Sequence, residues 1–452
     1  MHLISAFVIA CAALASFSRA DAQGNGPPSD SNAVTLSDVL ARVRNGHPLS
    51  QAATARIDAA HGSRETAGAF TNPMVQYMVD DTPLPGRGPI PMDREAMTSA
   101  MIPLEPLYQR GPRIARADAD VRAARADART QAIELALDAA HAYYRVAIAQ
   151  VSVGAMRDLS AWLDSVVTYN RARVKEGIAA EADLIRAQLE QDRAAVELSM
   201  QEADLARERA TLASYLGSPS ASTPLIVAVG DRPLPWHFAE LAVELSHDRG
   251  NSTALLDRTP RIQAARERVG SATAGVSVER RTVIRDFSAT LGTKQSAGFT
   301  SLIAGLTVPL PLFTQNRGEI ARATAEQHVA EFELLSAHRT ASAELVGAYD
   351  AAKILLDRAT LLTARQPGSP ASAPAMLARA DESRRIALGA YREGAVPLLS
   401  VLDAARAGGE VRIAFYRALF AQHESVLALA AALGLDPEQV LLSPSPVLQV
   451  PR

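Results

Sequence analysis

The sequence predicts a mainly α-helical chain with a β part, in which two copies of one unit each carry long coiled-coil helices and a single β-hairpin. The first observation is a duplication. Residues 102–111 read Ile-Pro-Leu-Glu-Pro-Leu-Tyr-Gln-Arg-Gly, and residues 308–318 read Val-Pro-Leu-Pro-Leu-Phe-Thr-Gln-Asn-Arg-Gly. Each stretch leads into a long Ala-rich run that opens on Ile and Ala (Ile114-Ala115, Ile320-Ala321). The offset of about 210 residues is far longer than the period of a solenoid. Further pairs keep this register: His47-Pro48 with Thr259-Pro260, Lys175-Glu176-Gly177 with Arg392-Glu393-Gly394, and Leu216-Gly217 with Leu433-Gly434. The second observation is period-two alternation just before each Pro turn, and the third is heptad spacing in the helical runs.

Residues 1–22 read as a signal peptide. Leu3 to Phe17 is an apolar run of the right length, and Ala20-Asp21-Ala22 offers a small-x-small cleavage site that leaves Gln23 first. The n-region is weak, with His2 and no Lys or Arg. Cys11, the only cysteine, follows Val8-Ile9-Ala10 and loosely fits a lipoprotein box, so lipidation is the alternative. Cutting there would leave almost no apolar segment before the cysteine, which favours ordinary cleavage. A mature chain without a thiol suits an oxidising periplasm and has neither disulfides nor thiolate metal sites.

The first unit spans 23–217: a helix, a hairpin at 74–102, and helices at 113–176 and 180–216. In Met74-Val75-Gln76-Tyr77-Met78-Val79-Asp80, the residues Val75, Tyr77 and Val79 share one face and Gln76 the other. Glu95 to Ile102 answers this strand across a Pro/Gly/Asp-rich loop at 81–93. A linker at 218–254 leads to the second unit, 255–434. That unit has a helix, a hairpin at 283–308, and helices at 318–393 and 395–433, with a flexible insertion at 366–374. Its strands are Val283 to Thr293 and a second in which Thr300, Leu302, Ala304, Leu306 and Val308 alternate with Ser301, Gly305 and Thr307. Between them, Lys294 to Gly298 reads as the loop. Residues 435–452 form a Pro-rich tail. In the helices, Leu198, Leu205 and Leu212 fall at intervals of seven. So do Ile413, Phe420, Leu427 and Leu419, Val426, Leu433, as a coiled-coil seam requires.

Composition narrows the function. A formal net charge of −3 argues against nucleic acid, which needs a concentrated basic face. Hydrophobic content of 48% with only 5% aromatics points to long helices packed closely through Ala rather than to a bulky core. After the signal no apolar run reaches the ~18–20 residues of a membrane helix. Strands of about ten residues with one apolar face suit the wall of an outer-membrane barrel. Four strands cannot close such a barrel, so closure needs several subunits. A soluble sheet with one buried face is the plainer alternative.

The exported, duplicated helix–hairpin–helix–helix units, the Pro-Leu turn from strand to helix and the Gly-centred helix tips resemble the TolC family of outer-membrane efflux channels, over roughly residues 36–434. The resemblance implies a homotrimer whose subunits each give four strands to one transmembrane β-barrel and their long helices to a periplasmic α-barrel. It also implies docking onto a periplasmic adaptor (membrane fusion) protein and an inner-membrane pump, in contact with outer-membrane lipid and without nucleic acid. Asn72-Pro73 to Asp81, Leu84-Pro85-Gly86 and the Ile102-Pro103-Leu104 turn are most similar to the heavy-metal, resistance-nodulation-division branch.

The same resemblance assigns the helix tips. Gly394 and Asp403 match the family's inner tip, where acidic side chains ring the periplasmic aperture, and Gly177 and Asp183 match the corresponding tip of the first unit, with Glu181 nearby. The family often has a second acid where this chain has Ser400, and a basic latch residue where it has Val396. Lys175, Gly177, Arg392 and Gly394 are the expected adaptor contacts. A ring of acids at a constriction favours cations. The alternative is that Asp183 and Asp403 are only favourable charges at a helix start.

Enzyme chemistry finds no footing. The histidines are scattered without a His-Glu-x-x-His, and there is no Gly-x-Ser-x-Gly elbow or phosphate loop. No cofactor and no metal site is expected. Met74, Met78, Met92, Met97 and Met101 cluster around the first hairpin. They read as fillers of the wall or loop before they read as soft ligands for Cu(I) or Ag(I). Trp162 and Trp236 read as packing anchors. The expected role is a passive exit duct for metal cations or small toxic compounds. The alternatives are a type I secretion duct for polypeptides and a periplasmic coiled-coil scaffold that never inserts.

Overall fold

The computed structural model describes residues 33–80, 94–217, 225–234, 254–364 and 374–438. The signal peptide, the 81–93 loop with Met92, Trp236, residues 366–373 of the insertion and most of the tail lie outside these residues. The chain begins with helices α1 (Leu36–Gly46) and α2 (Pro48–Gly68), then strands β1 (Met74–Asp80) and β2 (Glu95–Pro103). Helices α3 (Pro106–Lys175) and α4 (Glu181–Leu216) complete the first unit. The second repeats the order with α5 (Pro260–Arg281), β3 (Ser288–Ser296), β4 (Phe299–Thr307), α6 (Arg317–Thr363), α7 (Ala375–Arg392) and α8 (Leu398–Ala432).

Local chemistry sets where these elements start. Thr35 and Asp38 form a reciprocal capping box on α1, which buries Leu36, Val39, Leu40 and Val43. His47 caps α2 by accepting the Leu49 N–H at 3.2 Å, and Pro48 stands at the first turn. Helix α3 has 70 residues and is about 105 Å long at 1.5 Å per residue. It begins seven residues earlier than the sequence predicts, through Pro112. Proline there removes the N–H that would bond the Tyr108 carbonyl. The guanidinium of Arg281 donates to that carbonyl at 2.8 Å instead, so the helix continues across the proline.

The four strands form one antiparallel sheet in the order β1-β2-β3-β4. Residues facing each other across it share a side, so the register sorts the wall into two faces. Val75, Ala100, Leu291 and Ala304 form one row, and Tyr77, Thr98, Thr293 and Leu302 the next. On the other face lie Gln76, Ser99, Gly292 and Ile303, then Met78, Met97, Lys294 and Ser301. The apolar face is bare in the subunit: Val75 is 77% exposed and Leu302 79%. Strand β3 starts five residues later than the sequence predicts and runs on through Ser296. Residues 283–287 are instead a connector, with the Ile284 carbonyl accepting from the Tyr108 hydroxyl and the Gln109 amide, and Asp286 at φ 60°. The expected loop at 294–298 shrinks to Ala297-Gly298, both at positive φ (51° and 82°), the conformation of a two-residue hairpin turn.

The helices pack as long antiparallel pairs, α3 with α4 and α7 with α8, while α2 and α5 lie on α3. Ala is the commonest residue at their buried contacts, including Ala139, Ala140, Ala147, Ala352 and Ala430. Of the seam residues, Leu205, Leu212, Leu419, Phe420, Val426 and Leu427 are buried. Residues 225–234 are strapped across the middle of the bundle. Gln150 donates to and accepts from Val227, the Tyr143 hydroxyl donates to the Ala228 carbonyl at 2.6 Å, and Gln422 does the same double duty on Leu234. Among the described residues no helix is long and apolar enough to cross a membrane.

Candidate aperture at the helix tips

The two helical hairpins turn by the same device. At the first, Gly177 (φ 73°) donates to the Val174 carbonyl at 3.0 Å and Ile178 to Arg173 at 2.9 Å. At the second, Gly394 (φ 77°) donates to Tyr391 at 3.0 Å and Ala395 to Ala390 at 2.8 Å. These paired bonds satisfy the last carbonyls of α3 and α7, and the left-handed residue that makes them is cheapest as Gly. Lys175 and Arg392 flank the glycines, exposed, in the last turn of their helices, where cations meet the negative end of the macrodipole.

The acids differ in their surroundings. Glu181 and Asp183 lie in the first turn of α4, whose N-cap, Ala180, has no side chain to offer. Both carboxylates complement the helix macrodipole there. Asp403 is the sixth residue of α8, whose first turn holds no acid, so it lies past the reach of the helix start. It is exposed, as is Ser400. None of Asp183, Glu181 and Asp403 makes an ion pair or side-chain hydrogen bond among the described residues. Between the two tips the interior is apolar. Leu163, Val166, Val167, Ala187, Leu398, Val401 and Leu402 form one cluster, with Trp162 packed against it.

Sequence reasoning missed the polar element inside that cluster. Asn170 is fully buried in α3; its amide donates to the Val166 carbonyl at 2.9 Å and its oxygen accepts the Tyr391 hydroxyl at 2.6 Å. Tyr391 and Tyr169 meet edge to face, 6.1 Å between centroids. The Arg173 guanidinium sits 5.6 Å from one ring and 5.7 Å from the other. The signal was available in the duplication: Tyr391 stands where the first unit has Val174, three residues before each glycine. Higher up, Arg406 pairs with Glu190, and Arg412 bridges Asp158 at 2.8 Å and Asp381.

A family model described as outer membrane efflux protein matches residues 39–218 and 252–435. The chain belongs to that family. It is an outer-membrane efflux channel subunit, with its helical part in the periplasm, and members of the family are channels rather than enzymes. It is similar to the cobalt-zinc-cadmium resistance protein CzcC of Cupriavidus metallidurans, 25% identical over 90% of this chain and 92% of the relative. It is also similar to the pyoverdine export outer membrane protein OpmQ of Pseudomonas putida, 28% identical over 86% of this chain and 83% of that one. The fold matches CusC, solved in the context of folding and transmembrane channel formation, with a TM-score of 0.70, 16% identity and 88% and 92% of the two chains covered. It also matches the outer membrane protein VceC of Vibrio cholerae, with a TM-score of 0.68, 18% identity and 88% and 96% covered.

Proposed function

We propose that three copies of this chain form the exit duct of a tripartite efflux pump that expels metal cations. The sheet itself demands company. Both β1 and β4 are edges of a four-stranded sheet whose apolar face is bare, and in a bilayer an open edge leaves backbone groups without partners. Pairing β4 of one subunit with β1 of the next removes both edges. The apolar face then meets lipid and the polar face lines the lumen. A periplasmic adaptor that grips Lys175, Gly177, Arg392 and Gly394, and an inner-membrane pump of the resistance-nodulation-division type, would supply cargo and energy to the passive duct.

The observation that carries the cation reading is Asp403, an exposed carboxylate with no ion pair or side-chain hydrogen bond among the described residues, past the first turn of the helix behind the inner tip. In a trimer it becomes a ring at the narrow end, flanked by Ser400 and backed by the Asp183 and Glu181 tips. The likeness to a cobalt-zinc-cadmium resistance protein supports the same cargo class. Buried Asn170 and Tyr391 hold α3 to α7 within each subunit, which keeps the tip closed until the adaptor pulls the helices apart. The test is cellular. Cells lacking this chain should accumulate Co(II), Zn(II) or Cd(II), the wild-type gene should restore export, and Asp403→Asn should restore it incompletely. Full export by cells lacking the chain would end the metal reading. The likeness to a siderophore exporter makes an organic cargo the second reading, told apart by restoring export of that cargo and not of metal.

A further inference from the structure

Strands β1 and β2 carry four of the nine methionines of the chain. All four stand on one face: the register sets Met74 opposite Met101 and Met78 opposite Met97. It is the face of Gln76, Ser99, Thr290, Lys294 and Ser301, while the apolar wall of Val75, Tyr77, Leu291 and Leu302 holds none. A methionine that fills a hydrophobic wall belongs on the other side. Met74 is 56% exposed and Met78 40%, and no buried hydrophobic cluster among the described residues includes any of the four.

We propose that these pairs are two soft-cation sites, Met74 with Met101 and Met78 with Met97, that take Cu(I) or Ag(I) from the lumen. The proposal rests on the channel reading, in which the polar face lines the pore. Directly opposed residues hold their Cβ atoms ~4.5–5.5 Å apart, so two unbranched side chains reach one ion from neighbouring strands. A thioether is a neutral, soft donor that suits Cu(I) and discriminates against harder divalent ions. The surroundings do not repel a cation. Beyond Met101 the face continues with Thr290 and Gly305, and beside Met97 the charge of Lys294 is met by Glu95. Four residues separate the pairs along β1, about 13 Å at strand rise, so each pair is its own site and the two form steps along the pore axis. Paired thioethers without an anionic ligand bind and let go, as a conducting path requires.

The experiment uses the full-length protein in detergent, with Ag(I) nitrate in chloride-free buffer, followed by equilibrium dialysis. Replacing a pair by leucine keeps the volume of the side chains, so the oligomer and its bilayer conductance should persist. Met74→Leu with Met101→Leu should remove one Ag(I) per subunit, and adding Met78→Leu with Met97→Leu should remove the second. Affinity of a half-replaced pair should fall by at least about tenfold. A Cu(I) titration against a chromophoric chelator should follow the same order, and Zn(II) binding should be the same in all variants. Unchanged Ag(I) binding in the fourfold variant would overturn the proposal, as would a parallel loss of Zn(II). Failure of the channel reading itself would look different, as a wild-type protein that conducts nothing.

Discussion

The hydroxyl of Tyr391 donates to the side-chain oxygen of Asn170 at 2.6 Å, joining the second unit of the duplication to the first where both residues are buried. A single polar bond inside an apolar cluster is a natural place for a releasable joint. Water is absent when it is made, and each partner gains solvation when it breaks.

Tyr391→Phe leaves the Asn170 oxygen buried without its donor, a cost of about 1–3 kcal/mol. The expected outcome is a lower unfolding temperature and a larger or more frequent opening in planar bilayers. Adding Asn170→Leu to Tyr391→Phe removes both polar groups and their need for partners, so the double variant should recover part of the stability and keep the tip closed. If both variants conduct as the wild type does, the bond plays no part in closure.

The wall makes a sharper demand on individual residues. Leu302→Asp places a charge on the apolar face, where the midplane cost reaches roughly 2–4 kcal/mol for basic residues and somewhat less for an acid. Ser301→Asp, one residue away on the polar face, should be tolerated. The yield of SDS-resistant oligomer in outer-membrane fractions is the measurement, and equal yields would mean that these strands do not face lipid.

Of the two glycines in the described strands, Gly292 is the one where a side chain collides with its neighbours. A Cβ built there would lie 2.3 Å from the Thr98 carbonyl oxygen and 2.7 Å from Ser99. Backbone cannot retreat as a flexible side chain can, so Gly292→Val should separate β2 from β3 and abolish assembly. Gly305→Ala, whose Cβ would make only an ordinary 3.8 Å contact with the Thr290 side chain, should assemble at wild-type yield. Barrel formation followed by semi-native gel separates the two.

Acidity should act on the middle of the bundle through two histidines of opposite sign. His141, held by the Glu424 carboxylate at 2.9 Å, has its pKa raised, and His423, buried against Tyr144, has its pKa lowered by that burial. The His141 contribution is complete below the ordinary value of 6.5 and fades as pH rises through the raised value. The neutral His423 favours folding above 6.5, and that advantage is lost as pH falls. His141→Gln should therefore destabilise more at about pH 5.5 than at about pH 8, and His423→Gln should flatten the acid-side loss. Thermal unfolding at the two pH values checks both signs. The His141 effect should be modest and salt-sensitive, since that pair is half exposed.

Much of the fold was legible because duplication and period-two alternation are strong signals. Val75, Tyr77, Leu302 and Leu306 announced their wall in single residues. What escaped was set by tertiary contact. The extension of α3 through Pro112 depends on Arg281, a residue remote in sequence that supplies the missing bond, and no local rule shows it. Val283 and Phe287 read as strand because they alternate, yet Tyr108 and Gln109 pin that stretch as a connector. At the tips, Gly177 and Gly394 were plain from the repeat. The joint of Asn170 with Tyr391 was not, because its two halves differ between repeats and resemblance reasoning follows what is shared.

In the proposed trimer, Asp403 lines the narrow end of a cation duct. Wild-type channels in planar bilayers should prefer cations and should be blocked by divalent or trivalent ions added from the periplasmic side. Asp403→Asn should weaken both properties, Asp183→Asn should do less, and Ser400→Asp should strengthen the block. All three differences should shrink as salt shortens the reach of exposed charge to about 8–10 Å. Selectivity and block left unchanged by Asp403→Asn would contradict the account, since the carboxylates would then not converge on the pore.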